Sequence, residues 1–289
     1  MIDAHAHLWL RQQGRVNGLP VYDLGGGKSQ FGTEVMQMLP PYMLDGVNSA
    51  ERFLANMDFA GVGGAVITQE YIDGNQDEYL LSVRRQWPDR FRVTCLYEEN
   101  ALPDPSGFDG IKLCGGRLTD QDLTHHEPVF HLAAQNGLFI AIDMADGDRQ
   151  TGSLRELIQT YPSLRVAIGH FGMVTRPGWQ EQIRLARMEN VYVESGGITW
   201  LFNREFWPYP SAVQAIREAA DICGIEKLMW GSDYPRTMTA ITYRMSGDFV
   251  RDSKELSDGE KQLFLSENAR VFYRFEQVPD PVRIHHMAE

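Results

Sequence analysis

Two histidines one residue apart, in the run Asp3-Ala4-His5-Ala6-His7, are the first residues here whose type and spacing could do chemistry. Side chains at i and i+2 of a strand point to the same face, so a strand would present both imidazoles together. Such a pair is half of a site for Zn²⁺ or a similar ion. Taken alone, it reads equally as two unrelated polar residues at a strand end. Two further segments, Gly169-His170-Phe171-Gly172 and Gly231-Ser232-Asp233-Tyr234-Pro235, each follow an apolar run. By itself His170 would be a satisfied buried histidine and Asp233 a helix N-cap. Placed together at one end of the strands of a barrel, the three segments converge. A carboxylate beside two imidazoles can complete a metal site, accept a proton from water, or do both. A bound metal lowers the pKa of water from ~16 to about 7. His170 could then stabilise a polarised oxygen or shuttle a proton.

The elements that must position these residues are short apolar runs separated by amphipathic segments. The runs are 1–4, 64–68, 91–96, 110–113, 138–142, 164–168, 191–194 and 228–231. Several are nearly continuous Val, Ile and Leu, the pattern of parallel strands covered on both faces. Helical segments at 50–59, 77–87, 128–136, 153–161 and 212–222 fall between them, most ending at Gly or Pro, with Ser153 placed as an N-cap. Eight strands alternating with helices predict an α/β protein, a single-domain (β/α)₈ TIM barrel over 1–276 with a C-terminal extension at 277–289 containing His285-His286. An open doubly wound sheet is the competitor, but no Gly-rich turn follows the first strand. In the barrel, His5, His7, His170 and Asp233 lie at the C-terminal rim, at the ends of strands one, six and eight. The stretch 8–48 holds Gly25-Gly26-Gly27 and Pro40-Pro41 without clear periodicity. It is expected to be one long loop after strand one, a lid or a packed surface excursion, whose Trp9, Tyr22, Phe31 and Tyr42 could cover a ligand.

The 289 residues carry 39 acidic and 27 basic side chains, a net charge of −12. That field repels a polyanion such as nucleic acid, and no basic run offsets it. A small anionic substrate stays compatible, since a few local Arg or Lys residues reverse the sign inside one pocket. No apolar run approaches the ~20 residues of a membrane span. Cys95, Cys114 and Cys223 are scattered and form no CxxC pair, as suits a reducing compartment. With no secretory leader legible at the start, a cytoplasmic location is expected. The expected partner is a small-molecule substrate, with neither nucleic acid nor membrane; a homo-oligomer is left open.

Five segments, DAHAH at 3–7, GIKL at 110–113, IGHFG at 168–172, GSDYP at 231–235 and ENARVFY at 267–273, span nearly the whole chain in one order. Together they resemble the amidohydrolase superfamily, specifically its amidohydrolase 2 branch. That branch includes 2-pyrone-4,6-dicarboxylate hydrolase, sugar-acid lactonases and nonoxidative decarboxylases related to aminocarboxymuconate-semialdehyde decarboxylase. The resemblance implies His5, His7 and Asp233 as ligands of one divalent metal, zinc by preference, with Asp233 also the catalytic base and His170 a catalytic histidine. One position departs from the decarboxylases, whose fifth strand ends in a histidine ligand. Here Asp143 stands at that place, as a ligand, a base or a hydrogen-bond acceptor. Lactonase-like members tend to lack the histidine too, so the departure favours hydrolysis and puts tight metal binding in doubt.

Around this centre, Lys112 at the end of strand four is expected to contact a substrate carboxylate or to be a salt-bridged structural lysine. Some branches carbamylate a lysine there, but the ligand set is too small for two ions. Glu70 and Glu194, ending strands two and seven, could bind sugar hydroxyls or only cap loops. Arg236 can grip an anionic group with two donors, and Trp9 is placed among the substrate contacts. His125-His126 reads as a solvated helix start and Cys114 as a packing residue without an activating partner. The expected function is a hydrolase that opens a lactone or related cyclic ester by activated water. The alternative is a metal-dependent nonoxidative decarboxylase of an aromatic or unsaturated acid. A non-catalytic binding barrel ranks last, because unused ionisable groups in a cleft carry a desolvation cost.

Overall fold

The computed structural model describes residues 1–280. Eight parallel strands stand side by side in chain order: β1 (Ile2–His7), β6 (Gly64–Thr68), β7 (Phe91–Leu96), β8 (Gly110–Leu113), β9 (Phe139–Ile142), β10 (Arg165–Ile168), β11 (Val191–Glu194) and β12 (Leu228–Met229). Backbone bonds from Ala4 N to Trp230 O (2.8 Å) and from Asp233 N to His5 O (2.9 Å) join the last strand to the first. The result is the expected (β/α)₈ barrel. Strands β1, β6 and β7 are buried at every residue, because the barrel axis covers one face and helices the other. The outer layer includes α1 (Ala50–Ala60), α2 (Asp77–Gln86), α3 (Glu127–Gln135), α4 (Thr151–Thr160), α5 (Trp179–Leu185), the short α6 (Ile198–Leu201), α7 (Pro210–Cys223) and α8 (Met245–Arg251). Helix α4 starts two residues before the expected cap; Gln150 holds the N-cap position and Ser153 Oγ instead donates to Gln150 O. After α9 (Asp258–Gln262), α10 (Asn268–Phe272) closes the bottom. Among the described residues no helix is long and apolar enough to cross a membrane.

A slip in register aims the first strand. β1 pairs with β6 as Ile2↔Gly64 and Asp3↔Ala65, then Ala6↔Ile67 and His7↔Thr68, so one residue of β1 is extra. A one-residue bulge inverts the facing of everything after it. Ile2 and Ala4 therefore pack inward against Ala269, Phe272, Tyr273 and Phe275 at the floor of the barrel, while His5 and His7 also point inward one layer higher.

The long loop expected after strand one is instead partly regular. It contains β2 (Arg15–Val16), β3 (Leu19–Asp23), β4 (Lys28–Phe31) and β5 (Glu34–Gln37), a four-stranded antiparallel sheet in that order. Its strands are two to five residues long and mostly exposed, so they leave no apolar alternation to read. Of the expected extension at 277–289, residues 281–289, His285 and His286 among them, lie outside the described residues.

Candidate active site

At the C-terminal rim the bulged end of β1 and the loop after β12 bring three ligand atoms together. His5 Nε2 and His7 Nε2 are 3.0 Å apart. Asp233 Oδ1 lies 3.1 Å from His7 Nε2 and 3.8 Å from His5 Nε2. All three residues are at most 2% exposed. Glycine is required beside them: a Cβ on Gly231 would sit 2.7 Å from Glu194 Oε2 and 2.8 Å from His5 Cβ. Asp233 itself adopts a left-handed φ of 57°, a conformation that costs a non-glycine residue about 1–2 kcal/mol.

Each group is held in a definite state. His5 Nδ1 is 2.7 Å from Glu194 Oε1. Burial lowers the His5 pKa against the raising effect of Glu194. The ring is thus neutral, its Nδ1–H directed at the carboxylate and its Nε2 lone pair directed at His7 and Asp233. Asp233 is held well below the usual carboxylate range. Burial opposes this, and the neighbouring His7, Arg236 and His170 outweigh it. Trp200 Nε1, on α6, donates to Asp233 Oδ2 at 2.8 Å, while buried Oδ1 makes no hydrogen bond of regular geometry. Two imidazole nitrogens and an unsatisfied carboxylate oxygen converging on one point are a set of lone pairs that one divalent cation would satisfy, and the donor set suits zinc. A carboxylate behind a ligating histidine fixes its tautomer and raises its basicity, which is the place Glu194 takes behind His5.

A second cluster adjoins the first. Lys112 Nζ is 2.6 Å from Asp143 Oδ2, which is 3.5 Å from His170 Nε2. Burial resists charge on all three and the pairing outweighs it. Asp143 is held well below its ordinary range by Lys112 and His170, Lys112 is raised by Asp143, and His170 is raised to about 10 by Asp143. His170 Nδ1 lies 2.8 Å from Gly196 O, so the charged ring donates there and keeps its Nε2–H edge toward Asp143. A Cβ on Gly169 would meet Asp143 Oδ1 at 2.1 Å, so only glycine admits the carboxylate.

These groups open on a cavity of about 770 Å³. Its wall is mixed: Met36 from the small sheet and Met38 just after it, Ile72, Met144, Met173 and Trp200, with Glu70, Arg117, Asp146, Arg149 and Arg236. Of the residues expected from sequence, His7, Glu70, Asp143, His170, Asp233 and Arg236 line it. His5, Lys112 and Glu194 stand one layer behind, against His7, Asp143 and His5. Lys112 is thus the salt-bridged alternative, and Glu194 grips a histidine rather than facing the cavity. Glu70 pairs with Arg117 at 2.9 Å. Arg236 donates to Asp73 Oδ1 at 2.7 Å and lies 3.7 Å from Asp233 Oδ1. Trp9 is fully buried, donates to Gly46 O, and does not reach the cavity; its ring supports Arg236 from 5.8 Å. His126 is buried against Tyr97 rather than solvated, while His125 is exposed. Sequence reasoning missed Asp73, Trp200, Arg117 and Gln12. Only Arg117 carried a signal, a cation just past Gly115-Gly116 at the end of a strand.

The chain is similar to known proteins along nearly its whole length. The chain is 24% identical over 305 positions to L-fucono-1,5-lactonase of Burkholderia ambifaria, with 96% of each chain covered. A Pseudomonas putida protein assigned as a 2-pyrone-4,6-dicarboxylic acid hydrolase superposes with a TM-score of 0.68 at 22% identity, covering 96% of this chain and 98% of its own. An amidohydrolase from Burkholderia multivorans with bound zinc gives 0.68 at 16% identity, covering 96% and 99%. The family model described as amidohydrolase matches residues 2–275, and the chain belongs to the amidohydrolase family.

Proposed function

We propose that this enzyme hydrolyses a lactone or related cyclic ester of a small acidic or sugar-derived substrate. The observation that carries the reading is Asp233, ionised, pinned by Trp200 through one oxygen and free at the other, facing a cavity across from a protonated His170. The similarity to a named lactonase along nearly the whole length supports it. We read Asp143, paired with Lys112 and close to His170, as the group that charges His170.

His5, His7 and Asp233 would hold the divalent ion, whose chemistry is to polarise the substrate carbonyl and acidify water. The remaining work belongs to the chain. Asp233 accepts a proton from the attacking water as the water oxygen bonds to the carbonyl carbon. His170 gives its proton to the ring oxygen as the carbon–oxygen bond breaks, so the leaving group departs as an alcohol rather than an alkoxide. Return of the proton from Asp233 to His170, or through solvent, resets both groups, and the product is a hydroxy acid. Arg236, Arg117 and Arg149 supply the positive wall that receives an acidic substituent. Cavity volume and wall suit a single substituted ring.

Acid release from a panel of sugar lactones and pyrone lactones, measured with and without chelator, tests the proposal. We expect turnover of at least one member and its loss in Asp233→Asn. Release of CO₂ from aromatic acids by a folded protein inert toward every lactone would overturn it.

A further inference from the structure

The second histidine of the pair has an outer carboxylate that no motif announced. His7 Nδ1 lies 3.2 Å from Asp73 Oδ2. Both atoms are buried, and neither makes a hydrogen bond of regular geometry with any other group. Buried polar atoms are almost always satisfied, so each is the natural partner of the other. The opposite oxygen, Asp73 Oδ1, accepts from Gln12 Nε2 at 3.1 Å and from Arg236 Nη2 at 2.7 Å. Gln12 is oriented in turn. Its Oε1 accepts from Ser29 Oγ at 2.9 Å, which leaves the amide NH₂ as the end that must face Asp73. Ser29 belongs to β4 of the small sheet and is 1% exposed; Gln12 is 5% and Asp73 1% exposed.

We infer that Asp73 is a positioning residue for His7, and that the small antiparallel sheet, through Ser29 and Gln12, sets where Asp73 stands. Ser29 fixes which way the Gln12 amide faces. The amide and Arg236 hold one carboxylate oxygen, and the other holds His7 as the Nδ1–H tautomer. Nε2 is then unprotonated and directed at Asp233. His5 and His7 thus receive the same treatment from opposite sides, Glu194 inside the barrel and Asp73 from the loop after β6. The segment that the sequence reads as a lid or a packed surface excursion thus acts as a support for the histidine pair. The inference rests on the proposed reading in taking His7 as a metal ligand.

Three proteins test it: the full-length chain, Gln12→Met, which keeps the side-chain length and loses the donor, and Ser29→Ala. Ring ¹⁵N shifts of His7 in metal-free protein report the tautomer, and Zn²⁺ affinity by chelator competition reports the ligand. We expect Nδ1–H in the parent and a tautomer mixture in Gln12→Met. Zn²⁺ binding should weaken about tenfold in Gln12→Met and less in Ser29→Ala, with thermal midpoints near the parent's. An Nε2–H tautomer in the parent overturns the inference, as does parental tautomer and affinity in both variants. Should the parent hold the Nδ1–H tautomer, lose it in Gln12→Met and yet bind no Zn²⁺, the positioning stands and the metal part of the proposed function falls.

Discussion

The two ends of the barrel use the same residue types in opposite ways. At the floor, Arg92 and Arg165 reach the final carbonyls of α10 and the turn beyond it. Arg92 donates to Tyr273 O and Arg274 O, and Arg165 to Phe272 O and Gly137 O. Their guanidinium groups also lie over the rings of Phe275, Phe139 and Phe272. These cations cap a helix whose last carbonyls would otherwise be unsatisfied. At the rim, Arg236 and Lys112 meet carboxylates, and those carboxylates meet histidines. Asp233 Oδ1, buried and without a regular hydrogen bond, lies there. The floor is satisfied internally and serves stability. The rim keeps unspent hydrogen-bonding capacity for something that is not protein.

This division can be broken by experiment. Asp233→Asn should cut kcat by at least about 10³-fold while the thermal midpoint moves by only a few degrees; a rate loss under tenfold would erase the distinction. Phe272→Ala, at a 3% exposed ring packed among Phe139, Tyr192 and Tyr273, should cost ~3–5 kcal/mol in urea denaturation. The rate per folded molecule should stay at the parental value, and a changed KM would show that the floor communicates with the rim. The smallest effect is on pH dependence. Raising His170 from 6.5 to about 10 means its stabilisation is complete below about pH 6.5 and is lost as pH rises through about 10. Metal-free parent should therefore lose more stability over that window than His170→Asn does. Asp143→Asn, which removes the main raising group, should bring the loss to lower pH.

The floor and the strand pattern were largely legible, because burial on both faces writes itself as continuous Val, Ile and Leu. The rim was legible where a residue ends a strand or follows within a few residues of one, as His5, His7, His170 and Asp233 do. It was illegible where the contact is made by a loop. Asp73 sits in Tyr71-Ile72-Asp73-Gly74, Gln12 in a segment without periodicity, and Trp200 on a one-turn helix. None of these carries a spacing that burial would impose. The roles of Lys112 and Glu194 were ambiguous for a different reason. A strand end specifies which layer a side chain enters, but which neighbour it finds there depends on the adjacent strand. The bulge in β1 could not be seen either, since alternation in DAHAH is the same with or without it, yet it lets one strand serve both the floor and the histidine pair.

The closure of the barrel joins residues made far apart in time. Asp3 accepts hydrogen bonds from the backbone N–H and the hydroxyl of Ser232, 229 residues later. At ribosomal speeds of about 5–20 residues per second, roughly 10–45 s separate the synthesis of these partners. Throughout that interval a nascent chain has its imidazoles but not its acid. A fragment ending before Asp233 therefore has the two histidines without the carboxylate that completes their cluster.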